Sequence, residues 1–272
     1  MKLSIIIPVR NERDTVVPLV ERVRAVDCGM PKELIVVDGA STDGTREALL
    51  ALPADSDLVL VLEEEARGKG RAVRTGFERA SGDILMVQDA DLELDPSEIP
   101  RLLAPIVAGS TDVVFGSRFK GRGRGATPLL GYAGNVGLTW VANILYFARL
   151  TDILTCYKVM HRDVVRSLHL KCNGFDLDAE ITCRLLRDGH TIVEMPVTYA
   201  PRGADEGKKL GPGVGWSVLR AIVRTRFTAA HPRPPTAART SAGEMLAASA
   251  PRDPEVDRTL AHVDTSPDRF LD

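Results

Sequence analysis

The residues best suited to chemistry stand in the run Val87-Gln88-Asp89-Ala90-Asp91-Leu92-Glu93. The apolar segment Ile84-Leu85-Met86-Val87 ends abruptly in two aspartates one residue apart, and a glutamate follows two positions on. A short apolar run bounded by charge reads as a buried strand of a parallel sheet. Ligands of open α/β sheets bind beyond the carboxyl ends of the strands, where these acids would point. Hard oxygen donors there suit Mg²⁺ or Mn²⁺, which take one or two carboxylates and leave the rest to water and phosphates. Asp89, Asp91 and Glu93 are thus candidate metal ligands, although an Asp-x-Asp also ends many solvated turns.

Other charged residues fall at comparable places. Glu12 follows the first apolar run and Asp38 the second, so several acids are expected on one sheet edge. Like charges brought together call for a cation or for hydrogen-bond donors from a ligand. Each acid, Asp43 included, has a plainer reading as the cap of the helix after it. Arg118, in Gly116-Ser117-Arg118-Phe119, and Arg202, Lys208 and Lys209, in a glycine-containing loop, could neutralise a leaving diphosphate or could be solvated charges. Asp178 and Glu180 precede a helical pattern, where they complement its dipole or face an acceptor. An acceptor hydroxyl would need one of them as general base; an acceptor phosphate arrives ionised and would not.

The elements that must position these groups alternate. Strands are predicted at Lys2–Val9, Leu34–Val37, Leu58–Leu62, Ile84–Val87, Asp112–Gly116 and Thr191–Met195. Helical patterns follow Asp14 and cover Arg46–Leu52, the stretch opened by Gly68-Lys69-Gly70, Glu98–Ala108, Arg162–Leu168 and Ala179–Arg187. Strand and helix at this spacing give an α/β chain with a doubly wound, parallel sheet and flanking helices. Residues 1–228 form the expected domain. From Ala229 the composition turns to Pro, Ala, Ser, Thr and Arg, which predicts a disordered tail over 229–272.

Composition excludes several classes. With 272 residues, 44% hydrophobic and 26% charged, the chain has the make-up of a globular protein with ample core. A net charge of −2 excludes a globally basic nucleic-acid binder, so no nucleic-acid partner is expected. No apolar run reaches the roughly 18 residues a bilayer span needs, and no signal-peptide pattern opens the chain. Cys28, Cys156, Cys172 and Cys183 have neither zinc-ligand nor disulfide-framework spacing, which points to a reducing, cytoplasmic setting. Gly68-Lys69-Gly70 lacks the phosphate-loop spacing, and the first strand–helix turn lacks the dinucleotide fingerprint.

Taken together, the motifs resemble family 2 glycosyltransferases of GT-A fold, and within them the dolichyl- or polyprenyl-phosphate mannose synthases. The matching pieces are Ile5 to Glu12, Val36 to Thr45, Lys69-Gly70, Gln88 to Asp95, Gly116-Ser117-Arg118, Thr151 to Lys158 and Glu206 to Lys209, and the likeness runs to about Phe227. It implies a Rossmann-like, mostly parallel sheet and an inverting, Mg²⁺- or Mn²⁺-dependent transfer of mannose or glucose. The donor would be GDP-mannose or UDP-glucose and the acceptor a polyprenyl phosphate. By the same resemblance Pro8, Arg10, Glu12, Val37, Asp38 and Gly39 would hold the nucleoside. Asp89, Ala90 and Asp91 would line the diphosphate, with Lys69 alongside. Arg118 would meet donor or acceptor phosphate, and Arg202 with Lys208 the diphosphate. Asp91, Arg118, Asp178 and Glu180 are the catalytic candidates.

The chain also departs from that pattern. The family commonly has two aspartates after the second strand, and the second position here is Gly39, which leaves the base open between guanine and uracil. Glu93 stands where many mannose synthases have Gln, and the C-terminal membrane spans of some members are missing. From Val113 to Thr151 there are five basic residues and no acid, beside the apolar stretch Trp140 to Phe147. Such a segment either lies in a lipid interface, peripheral on the inner face of the membrane, or packs on its own domain. Three alternatives remain: transfer to a hydroxyl of a soluble metabolite or cell-envelope precursor, a sugar-nucleotide binder without catalysis, and a nucleotidyltransferase. The last would need a glycine- and arginine-rich N-terminal loop that the sequence lacks.

Overall fold

The computed structural model describes residues 1–53, 55–121, 127–202 and 213–229. The expected tail lies outside them from residue 230 on, as do Lys208, Lys209 and residues 122–126 of the basic loop. Seven strands form one sheet: β1 (Leu3–Val9), β2 (Lys32–Asp38), β3 (Leu58–Leu62), β4 (Ile84–Val87), β5 (Val113–Ser117), β6 (Lys158–His161) and β7 (Val193–Pro196). Their order is β3-β2-β1-β4-β6-β5-β7. The first four run parallel, so the ends carrying Glu12, Asp38 and Asp89 lie side by side.

One strand breaks the expected parallel sheet. β6 runs antiparallel to both β4 and β5, making the sheet mixed. Its four residues, Lys-Val-Met-His, have too little alternation to announce a strand, and a lysine opens it. The lysine is tolerated because Lys158 is wholly buried with a carboxylate partner.

Both faces are covered. Ile5 and Ile7 of β1 join the core beneath α1 (Arg13–Ala25) and α4 (Ile99–Val107), while Ile6 faces the core under α3 (Lys69–Arg79) and α7 (Leu177–Arg187). α1 buries Val16, Leu19, Val20 and Val23, the spacing of one helix face. α3 presses close to the sheet: a Cβ on Gly76 would lie 2.3 Å from Ile6 Cγ2, so only glycine fits. Gly68 has φ +96°, and a Cβ there would meet the Asn173 carbonyl oxygen at 2.4 Å. The Gly68-Lys69-Gly70 turn therefore serves to bring two backbones together.

The remaining helices are α2 (Thr45–Leu50), α5 (Leu129–Tyr146), α6 (Arg162–Ser167) and α8 (Gly213–Arg226). α5, α7 and α8 share a separate small core around Ala142, Ile153, Cys183, Val218 and Ile222. α8 is not expected from the sequence, because glycines and arginines interrupt its apolar pattern over 213–226. All four cysteines are buried free thiols. Among the described residues, no helix is long and apolar enough to cross a membrane.

Candidate active site

The carboxyl edge of β1, β2 and β4 gathers the predicted acids, and their partners separate them. Glu12 precedes α1 but makes no side-chain cap. Its two oxygens instead accept from the Arg202 guanidinium at 2.9 and 3.1 Å, linking residues 190 positions apart. Asp43 precedes the N-cap Gly44 of α2 and accepts from N and Oγ1 of Thr45, the first helical residue, at 3.0 and 2.6 Å. Asp38 is fully buried and bound by Arg46 Nε at 2.6 Å, so it offers the edge no open carboxylate. Pro8 and Val37 are paired strand residues, Gly39 and the exposed Arg10 continue β2 and β1, and Ala90 is buried.

After β4 the chain turns sharply, with Leu92 at φ +59°. Asp89 accepts from Lys69 Nζ at 2.8 Å, and Glu93 accepts from Tyr199 Oη at 2.9 Å and Arg202 N at 3.0 Å. Asp91 has less: the Glu93 amide at 3.1 Å and the edge of Arg202 at 3.7 Å. Burial, and then the charges of Asp89 and Glu93, push its carboxyl up to about 7. Three carboxylates in five residues are thus short of positive charge at their centre.

No three His, Cys, Asp or Glu side chains among the described residues form a ready-made metal cage. The donor set nevertheless fits Mg²⁺ or Mn²⁺, which bind through one or two carboxylates and complete their shell with substrate phosphates and water. Raised Asp91, beside Asp89 and Glu93, is the kind of oxygen cluster that a divalent charge relieves.

Arg118 is held rigidly. Its Nε and Nη2 bond the two oxygens of buried Asp152 at 2.7 and 2.8 Å, a bidentate pair, and its guanidinium lies 5.3 Å from the Tyr199 ring centroid. Burial alone would lower its pKa, but Asp152 holds it raised, so it keeps its charge. Asp152 also accepts from Asn135 Nδ2 of α5 at 3.1 Å, and Glu194 accepts the Thr151 and Asp152 amides. Asp152 falls within the family-like stretch Thr151 to Lys158 but received no role there, and Glu194 and Tyr199 received none either; an acid inside an apolar strand is the signal that marks Glu194.

The second acidic cluster departs from expectation. Glu180 is wholly buried; one oxygen accepts the Lys171 and Cys172 amides, and the other the Arg184 guanidinium. It braces a loop against α7 and cannot touch an acceptor, which corrects its candidacy as a base. Asp178 does lie beside the site, bound by Lys158 Nζ at 3.0 Å and facing Lys69 Nζ at 3.6 Å. Burial would raise its carboxyl, but Lys158 and then Lys69 outweigh that and hold it low.

Residues 4–168 match the family model described as glycosyl transferase family 2. The chain belongs to that family. A relative of this family 2 chain is the low-salt glycan biosynthesis hexosyltransferase Agl6 of Haloferax volcanii, 31% identical over 225 residues, 81% of this chain and 53% of the relative. Another is the dolichol-phosphate mannosyltransferase of Pyrococcus furiosus, 32% identical over 228 residues, 82% of this chain and 63% of the relative. The family 2 chain thus spans about half to two thirds of the length of these two. The undecaprenyl-phosphate mannosyltransferase of Micrococcus luteus is 30% identical over 231 residues, covering 80% of this chain and 92% of that protein. In fold it is similar to glucosyl-3-phosphoglycerate synthase from Mycobacterium tuberculosis, solved with Mn²⁺, UDP and phosphoglyceric acid. The TM-score is 0.65 at 20% identity over 84% of this chain and 79% of that one, a likeness of fold alone. The mixed seven-stranded sheet with flanking helices is thereby of GT-A type.

Proposed function

We propose that this family 2 chain transfers a hexose from a nucleotide sugar to a polyprenyl phosphate, with inversion and with Mg²⁺ or Mn²⁺. The observation that carries the choice of acceptor is the state of Asp178 and Glu180. One is held as a low-pKa anion by two lysines and the other is walled in, so neither suits the deprotonation of a hydroxyl. A phosphate oxygen needs no base. It would attack the anomeric carbon while the bond to the donor diphosphate breaks on the opposite face and its electron pair leaves with the diphosphate. Arg202, now paired with Glu12, would take up that charge, and Arg118, locked by Asp152, would orient the attacking phosphate. A cation held by Asp91 with Asp89 and Glu93 would supply Lewis-acid stabilisation of the leaving group.

A lipid acceptor also fits the outer surface. α5 carries no charged residue, and it exposes Trp140 and Ile144, with Phe147 at its end; α8, which packs on α5 through the small core, exposes Trp216, and Phe227 follows it. Trp140 is 66% exposed, Phe147 89%, Trp216 72% and Phe227 80%, too much apolar surface to be incidental. Arg149 follows Phe147 closely in the chain, Arg220 lies on α8, and Arg226 bonds the Leu145 carbonyl of α5, basic flanks that suit a helix lying in an anionic lipid interface. Asn135 ties this helix to Asp152 and so to Arg118. We therefore assign the chain a peripheral place on the membrane.

The test is nucleoside diphosphate release from GDP-mannose, UDP-glucose and related donors with Mn²⁺, with and without a polyprenyl phosphate in vesicles. Release that requires the lipid phosphate supports the reading. Release driven equally by a soluble hydroxyl acceptor sinks the lipid acceptor, and no release from any donor sinks the transferase.

A further inference from the structure

Where the second strand ends, the chain lacks an open carboxylate: Asp38 is taken by Arg46, and Gly39 has no side chain. The neighbouring strand supplies one. β3 lies parallel beside β2 with Leu62 opposite Asp38, and the Glu63 amide donates to the Asp38 carbonyl at 2.9 Å. Glu63 therefore sits alongside Gly39. A Cβ on Gly39 would lie 4.0 Å from Glu63 Oε2, so this carboxylate stands close to the place that a side chain at 39 would enter.

The two oxygens of Glu63 differ. Oε1 accepts from Thr75 Oγ1 at 3.0 Å and has Arg71 Nε at 3.9 Å. Oε2 is buried without any hydrogen-bond partner. A buried carboxylate oxygen left without a donor is costly and rare in native proteins. A ligand that brings donors would remove that cost. Glu63, Arg71 and Thr75 also border a cavity of about 230 Å³, together with Glu64, Glu65 and Arg67.

We propose that Glu63, with Arg71 beside it, reads the nucleobase of the donor and selects guanine. The inference rests on the nucleotide-sugar reading above and adds the base to it. β3, β2, β1 and β4 are successive neighbours, so Glu63 stands three strand spacings, roughly 14 Å, along the edge from the acids after β4. An extended nucleoside diphosphate covers that span, with its phosphates at Asp91 and Arg202 and its base at Glu63.

The hydrogen-bond pattern decides among bases. Along its pairing edge guanine presents two donors, N2–H and N1–H, and then the acceptor O6. A carboxylate takes both donors at once, and the adjacent guanidinium of Arg71 meets O6. Uracil presents acceptor, donor, acceptor, so one carbonyl would face a carboxylate oxygen and leave it unpaired. Adenine offers a single amino group beside an acceptor nitrogen. Only guanine satisfies both protein groups, and an unpaired polar group at such a site is what rejects the wrong ligand.

The experiment is calorimetric titration of the whole chain with GDP, IDP and UDP in the presence of Mn²⁺. A bidentate contact of this kind discriminates by about 10- to 100-fold, so GDP should bind tighter than UDP by that factor. IDP, which lacks the N2 amino group, should bind about 10-fold more weakly than GDP, a comparison that requires no variant. Glu63→Gln retains an acceptor for Thr75 and should bring GDP and UDP to within a few-fold of each other. Adding Gly39→Asp to it should restore the preference, since the new Cβ meets only ordinary contacts of 3.6 Å and more. Equal binding of GDP and IDP, or a preference that survives Glu63→Gln, overturns the role of Glu63 and leaves the donor reading standing. If neither GDP nor UDP binds the unaltered chain, both fall.

Discussion

Asp89-Ala90-Asp91-Leu92-Glu93 and Asp176-Leu177-Asp178-Ala179-Glu180 have the same acidic spacing, and the fold puts them to opposite uses. In the first, Asp91 sits in a turn after a strand, its neighbours are acids, and its carboxyl is pushed up to about 7. In the second, Asp178 and Glu180 lie in the first turn of α7 with Lys158, Lys69 and Arg184 against them, and both carboxyls are held low. One cluster is neutralised by the chain's own cations; the other is left short of positive charge. Spacing alone does not distinguish them, because the distinction lies in which cations the tertiary structure supplies.

Breaking the completed cluster should cost the most. Glu180→Ala would leave Arg184 buried without its carboxylate and orphan the Lys171 and Cys172 amides. Losing one partner of a buried pair costs about 3–5 kcal/mol, enough to unfold a marginal domain. Chemical denaturation of the variant should show that loss. A change below about 1 kcal/mol would mean that the pair is solvated and the contrast overstated.

Breaking the open cluster should do the reverse. Asp91→Asn should lower transfer by on the order of 10²–10³-fold, the cost of removing one transition-state electrostatic contact. The fold should be unharmed or slightly stabilised, since one of three mutually repelling charges is gone. Nucleoside diphosphate release and thermal denaturation of the same preparation measure both. If activity and melting temperature fall together, Asp91 is structural.

The two clusters should also respond to pH with opposite signs. Asp91 has a folded pKa near 7, above the ordinary value near 3.8, so the folded chain binds the extra proton between those values. Its contribution to stability is present below about pH 4 and is lost as the pH rises through 7, by roughly 4 kcal/mol at most. Asp178 is lowered, so its contribution is present above its ordinary value and is lost as the pH falls through its folded one. Denaturation from pH 4 to 8 without divalent cation should show a downward slope that Asp91→Asn abolishes. A slope unchanged in the variant would remove the strain assigned to Asp91.

What the sequence made legible follows from what each signal measures. The parallel half of the sheet was readable because β1, β2 and β4 are apolar runs ending in charge, and from that the edge bearing Glu12, Asp38 and Asp89 follows. β6 was not readable: four residues with a buried lysine resemble a strand only once Asp178 is known to face that lysine. Glu12 and Asp43 both precede a helix, yet Asp43 bonds the first helical amide and Glu12 binds Arg202. Local patterns report on neighbours in sequence, whereas Arg118–Asp152 and Glu12–Arg202 join segments that meet only in the fold.

Lys69 tests the boundary between the clusters, and its effect should be the smallest. At the first position of α3 it reaches Asp89 at 2.8 Å and Asp178 at 3.6 Å, the lysine that touches both acidic runs. Burial would lower its pKa, but Asp89 and then Asp178 hold it raised, so it stays an ammonium at working pH. On the Asp89 side that ammonium occupies an oxygen a divalent cation would use; on the Asp178 side it duplicates Lys158. Lys69→Met should therefore tighten Mn²⁺ binding to the free chain by about 3- to 10-fold, the worth of an exchanged, partly screened charge contact. Stability should fall by about 1 kcal/mol, because Asp178 keeps Lys158 while the partly exposed Asp89 loses its ammonium. Manganese titration followed by electron paramagnetic resonance reads the first and denaturation the second. Weaker Mn²⁺ binding in the variant would show that Lys69 prepares Asp89 rather than competing for it, and the open cluster would then extend to include the lysine.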